Sequence, residues 1–185
     1  MKNKLLFAVV ALQCLWVVAT VAVQETKLRR ATIVRLETRP VDPRDMLRGD
    51  YVILSYDISR LSRDLFPQGT DLRSPYSKTV FVKLVRQGPF FVAAAASFEP
   101  LTGDSEHPVL RGKVPYSWVP DWQREQANGP SEVAVEYGLE KYFVREGTGN
   151  PQGKLTVDVA VPASGQGIIR QVYVDDRPYA EAMRK

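Results

Sequence analysis

Nineteen residues near the start of the chain, LLFAVVALQCLWVVATVAV from Leu5 to Val23, carry no charge and are interrupted only by Gln13, Cys14 and Thr20. As a helix they would extend about 28 Å at 1.5 Å per residue, close to the ~30 Å hydrocarbon core of a bilayer. Lys2, Lys4 and the terminal amine precede the run. Positive charge on that side favours an N-in, C-out orientation. Lys27, Arg29 and Arg30 follow it, offset by Glu25, and weaken the bias. A cleaved signal peptide is the rival reading, since Thr20-Val21-Ala22 and Val17-Val18-Ala19 offer small residues at cleavage spacing. The run is longer than the usual apolar region of about 7–15 residues in such peptides. The expectation is a retained anchor: a cytoplasmic tip at 1–4, a span at 5–23, a juxtamembrane linker at 24–30 and one exported domain at 31–185.

Composition limits what that domain can be. The chain has 185 residues, 44% apolar and 25% charged, which excludes collagen, a disordered polyampholyte and a long coiled coil. No second stretch is apolar enough to cross a bilayer. One Cys and one His exclude a disulfide framework and a zinc cage within one chain. Cys14 lies in the apolar run, so the domain must be held by its core alone, and about 155 residues suffice for that. Of 25 basic residues, Lys2 and Lys4 precede the anchor, leaving 23 against 21 acidic ones. That near-balance, with no basic stripe interleaved with aromatics, argues against a nucleic-acid partner.

After the anchor, short β-patterned runs alternate with Pro and Gly. Strands are predicted at Thr32–Thr38, Tyr51–Tyr56, Thr79–Arg86, Phe90–Phe98, Val109–Val114, Glu132–Tyr137, Leu155–Val161 and Gly167–Val174. Val80, Val82 and Leu84 share one face. Leu155, Val157, Val159 and Val161 oppose Thr156, Asp158 and Ala160, the pattern of a half-buried strand. Gln87-Gly88-Pro89 and Pro162–Gln166 read as hairpin turns. Two short helices are predicted. One starts at Asp57 with Ile58, Leu61, Leu65 and Phe66 on one face, and the other lies around Gly138 with Leu139, Tyr142 and Phe143. Pro67–Tyr76 and Tyr116–Ser131 read as loops. The fold class is mainly β, with α+β as the neighbouring possibility.

The most distinctive segment is RPVDPRDMLRGDYVILSY, from Arg39 to Tyr56. Its prolines hold an extended approach, Gly49 permits a positive φ, and Asp50 is placed to bond local amides. Tyr51 falls on one face of the following strand and Leu54 and Tyr56 on the other, and both faces are largely apolar, as in a central strand. Gly49-Asp50-Tyr51, Leu54 and Tyr56 match the motif for which the GDYXXLXY protein family is named, and the chain resembles that family. Pro40, Asp42, Pro43, Arg44 and Arg48 look like its lead-in. A second block, Tyr137 to Gly147, is similar to its downstream pattern through Gly138, Glu140, Tyr142, Phe143 and Glu146. The resemblance implies a bacterial protein anchored in the inner membrane, with its C-terminal domain outside the cytoplasm. It also implies companionship with polytopic membrane proteins, in a family for which no activity is established.

Other constellations point less far. A proline loop before Gly-Asp and a strand also looks like the substrate-binding box of type I signal peptidases, but no serine precedes it to act as nucleophile. Asp42, Asp45 and Asp50 lack the spacing of a calcium loop, and Arg39, Arg44 and Arg48 are ready ion-pair partners. Gly147–Lys154 has Thr148 and Leu155 where a phosphate loop needs Gly and Ser or Thr. His107 sits in a polar loop. Glu136, Glu140 and Glu146 are the candidates for acid–base work, weighed against ion pairs to Lys141 and Arg145. No cofactor or metal is expected. The partners expected are the lipid bilayer and an integral membrane protein, met through a loop bearing Trp118 and Trp122. An envelope enzyme using the carboxylates near Gly138 is the alternative.

Overall fold

The computed structural model describes residues 2–39, 51–72, 75–116, 131–144, 151 and 153–183. The chain divides into two compact units, Met1–Ala31 and Thr32–Lys185. The first is a single helix, α1 (Lys2–Arg29). No Gly or Pro interrupts it, so the backbone hydrogen-bond ladder runs unbroken between its ends, the condition for spanning hydrocarbon. Within it the 18 residues Val9–Thr26 have a mean hydropathy of 1.6, enough for a membrane span. Glu25 and Arg29 close an ion pair one turn apart at 3.0 Å.

The second unit is β-rich. Its largest sheet has four antiparallel strands in the order β1 (Thr32–Glu37), β9 (Leu155–Val161), β10 (Ile168–Val174) and β11 (Arg177–Pro178). A three-stranded sheet places β4 (Thr79–Gln87) between β5 (Phe90–Ser97) and β6 (Val109–Lys113). Two ladders of two strands complete the domain: β2 (Tyr51–Ile53) with β8 (Lys141–Phe143), and β3 (Arg60–Ser62) with β7 (Glu132–Ala134). A four-residue helix, α2 (Tyr179–Ala182), follows β11. Val34, Leu36, Leu54, Tyr56, Leu61, Val82, Leu110, Val157 and Val172 belong to one buried core shared by these sheets.

Turn chemistry explains the hairpins. Gly88 (φ +62°) and Pro89 close the two-residue loop between β4 and β5, whose ends pair Gln87 with Phe90. Asp175 and Asp176, both at positive φ, form the two-residue turn between β10 and β11. That doubly left-handed turn matches the twist of the strands it joins, and Asp tolerates the conformation better than most residues. The Ala93–Ala96 run is strand despite its helical preference, because β4 pairs along it, with one irregularity in register beside Leu84.

All eight predicted strands are present, several of them shorter than expected. Three expectations are corrected. Residues 57–66 are not a helix: single 3₁₀ turns at Asp57–Ser59 and Arg63–Leu65 flank β3, which β7 recruits into a ladder. The segment after Gly138 is strand β8, not helix, because its partner is β2. β9 is not half-buried. Thr156 and Ala160 on its outer face are covered as fully as the valines opposite. Only Asp158 there stays partly open. Its carboxylate accepts from Arg35 at 2.7 and 3.1 Å and from the Tyr173 hydroxyl at 3.0 Å. The Arg35 guanidinium also lies 4.5 Å from the centre of the Tyr173 ring. Three adjacent strands thus share one polar cross-strand contact.

Gly112 marks where the chain between β7 and β8 crosses β6. A Cβ there would collide with Val135 Cγ1 and lie 2.8 Å from the Glu136 carbonyl oxygen. Gly112→Ala is therefore expected to destabilise the domain by about 1–3 kcal/mol through overpacking. Thermal unfolding of the variant checks this, and an unchanged midpoint would show that the crossing can yield.

Candidate functional site

The two motif blocks distinguished in the sequence meet in space. β2 and β8 pair Tyr51 with Phe143, Val52 with Tyr142 and Ile53 with Lys141. β3 and β7 pair Arg60 with Ala134 and Leu61 with Val133. Arg60 lies nine positions after Tyr51, and Phe143 nine positions after Ala134. The ladders therefore share one register and form a single antiparallel ribbon interrupted in the middle.

The interruption is bridged by a reciprocal pair of tyrosines. Tyr56 donates its hydroxyl to the Leu139 carbonyl at 2.7 Å, and Tyr137 donates its own to the Ile58 carbonyl at 2.7 Å. Both rings are buried. Backbone bonds from Leu54 to Glu140 at 2.8 Å and from Val135 to Ser59 at 2.9 Å close the gap on either side. Each phenol thus satisfies a carbonyl that the turn of the opposite strand frees from the ladder. Gly138, at φ +76°, makes the turn on one strand. The Glu140 carboxylate caps that turn, accepting from the Tyr137 amide at 2.6 Å. Burial, and after it the Glu140 charge, pushes both phenols well above the usual tyrosine range.

On the far side, residues 54–56 join the end of β1. Arg39 N–H donates to the Ser55 carbonyl at 2.7 Å, and Thr38 bridges Tyr56. The strand at Tyr51 was expected to be covered on both faces. Instead Val52, Leu54 and Tyr56 are buried while Tyr51, Ile53 and Ser55 are only half-buried, because β2 lies in a narrow ladder rather than inside a wide sheet. On that open face Phe143 is 74% exposed and meets Tyr51 edge-on at 6.0 Å. The Lys141 ammonium sits 5.2 Å from the Tyr51 ring centre.

An open cleft of about 540 Å³ adjoins the clasp, lined among others by Arg111, Lys113, Glu136, Gly138, Glu140 and Gln166. Glu136 and Glu140 thus reach one cleft, as the sequence suggested. However, Glu140 spends one oxygen on its own turn, and Lys141 packs on Tyr51 instead of pairing with it. Arg39 pairs with Asp57 at 3.0 Å. His107 lies in a surface turn, 3.4 Å from Asp104, whose carboxyl is held below its usual range by the amides of His107 and Glu106. Pro40, Asp42, Pro43, Arg44, Arg48, Gly49, Asp50, Trp118, Trp122 and Glu146 lie outside the described residues.

Sequence reasoning missed the partnership of Tyr56 with Tyr137 and the need for Gly112. The signal for the first was available: each tyrosine lies at the edge of a distinctive block, one or two residues before a turn.

The family model matches residues 13–172, from within the apolar helix to within β10. The chain belongs to the GDYXXLXY protein family. No curated protein and no solved structure matches it. The named motif of a GDYXXLXY protein is therefore split by geometry. Leu54 and Tyr56 are core and clasp, whereas Tyr51 belongs to the half-open aromatic face with Phe143.

Proposed function

We propose that this GDYXXLXY protein is a binding or assembly module anchored in the bacterial inner membrane, N-terminus in the cytoplasm, holding an integral membrane partner against its exported domain. The observation that carries the reading is Phe143, 74% exposed beside Tyr51 on the outer face of the motif ribbon. A large apolar ring held outward on a rigid ladder serves a contact better than it serves folding. The apolar helix supplies the second half: a tether confines partners of the same bilayer, raises their effective concentration and lets a modest interface suffice. The Trp118–Trp122 loop is a second contact in this proposal.

The test is crosslinking from the full chain in native membranes. Phe143→Ser with Tyr51→Ser should lower the thermal midpoint modestly, leave the domain folded and abolish capture of the integral membrane partner. Unchanged capture by the folded variant would move the interface elsewhere, with Trp118→Ser and Trp122→Ser next. Turnover of a small substrate that disappears with Glu140→Gln would make the protein an enzyme. Digestion of residues 31–185 by protease added to spheroplasts checks the orientation.

A further inference from the structure

Between Leu5 and Gln24 the apolar helix carries three uncharged amide or hydroxyl side chains, Gln13, Thr20 and Gln24, and they share one face. At about 100° per residue, Gln13, Thr20 and Gln24 fall within about 40° of one another around α1. Val10 and Val17 lie on the same stripe, and the positions 10, 13, 17, 20 and 24 alternate three and four residues apart. That is the seam of a left-handed helix pair, with β-branched Val10 and Val17 in one register position and Gln13 and Thr20 in the other.

The polar groups on this seam are not equally satisfied. Thr20 donates its hydroxyl to the Val17 carbonyl at 2.8 Å, within the helix. Gln13 lies inside the Leu5–Val23 apolar run, about 1.5 Å along the axis from its middle, and among the described residues its side chain has no hydrogen-bond partner. A primary amide left unpaired in hydrocarbon is costly and seeks a partner in a neighbouring helix.

We propose that α1 pairs with α1 of a second copy of this chain, through a Gln13–Gln13 contact on the 10-13-17-20-24 seam; this rests on the membrane-anchored reading above. Two arguments select a second copy. Copies of one chain insert with the same orientation, so their Gln13 side chains lie at the same depth without any adjustment. A primary amide has both donors and an acceptor, so a two-fold axis lets each Gln13 donate to the other. The seam between Val10 and Gln24 also bears no charge that would repel its own copy.

The experiment uses the full chain in native membranes with Cys14→Ser as background, and single cysteines introduced by substitution at four helix positions. Oxidation should give disulfide-linked dimers with Val10→Cys and Val17→Cys, and several-fold less with Ala11→Cys and Leu15→Cys on the opposite face. Adding Gln13→Leu should lower the Val17→Cys dimer about three- to tenfold, while Gln13→Asn should retain most of it. Equal crosslinking on both faces would overturn the seam, and insensitivity to Gln13→Leu would overturn the amide contact. Capture of a different membrane protein through Val17→Cys, with no homodimer, would overturn the choice of a second copy. Release of the chain from membranes by alkaline carbonate would overturn the anchored reading itself, a result separable from loss of the dimer in a chain that stays embedded.

Discussion

Leu54→Ala is expected to lower the unfolding free energy by about 2–5 kcal/mol, the range for truncating a fully buried leucine. Leu54 is 2% exposed and sits where the motif strand passes from β8 to the end of β1. Its amide bonds the Glu140 carbonyl and its neighbour Ser55 accepts from Arg39, so the backbone around it is held on both sides. A cavity there has little freedom to collapse. Denaturant unfolding of the full chain in detergent measures the loss, with Tyr51→Ala as a comparison that should cost less, because Tyr51 is only half-buried. A Leu54→Ala protein of unaltered stability that loses partner capture would reverse the assignment and make the buried face of the motif a functional site.

Alkaline pH should unfold the domain through Tyr56 and Tyr137. Both phenols are raised in the folded state by burial first and by the Glu140 charge second. The unfolded chain ionises its tyrosines near the ordinary value of about 10. Stability from the two neutral phenols is therefore complete below about pH 10 and is lost as the pH rises from there toward their folded-state values. Each group contributes a limiting slope of about 1.36 kcal/mol per pH unit, so the pair approaches about 2.7. Tyr56→Phe should halve that slope. At neutral pH the same change should cost about 1–3 kcal/mol, since the buried Leu139 carbonyl loses its donor. Urea midpoints between pH 8 and 11 give both quantities. A Tyr56→Phe, Tyr137→Phe protein with the same alkaline slope as the parent would show that other groups control it.

The strands were legible because their residues alternate at period two or are β-branched, as in Val80–Leu84 and Leu155–Val161. The misread pieces have a common cause. Ile58, Leu61 and Leu65 recur at helical spacing, but each lies in or beside a segment only three residues long, where periodicity cannot separate helix from strand. Pairing with β7 decided β3, and pairing with β2 decided β8. The ribbon they form joins residues about 80 positions apart, a relation that no local window contains.

By itself the sequence determined the apolar helix, the β-rich class, the hairpin turn at Gly88 and the two blocks that identify the family. These are local properties, set by hydrophobic run length, side-chain alternation and the conformations that Gly and Pro allow. Only the tertiary structure decided that Tyr56 and Tyr137 clasp each other's turns, that Gly112 must lack a side chain, and that Phe143 faces outward while Leu54 faces in. Those outcomes depend on which distant strand lies opposite. A shift of one residue in that register would exchange the buried and exposed faces without altering a single residue of the sequence.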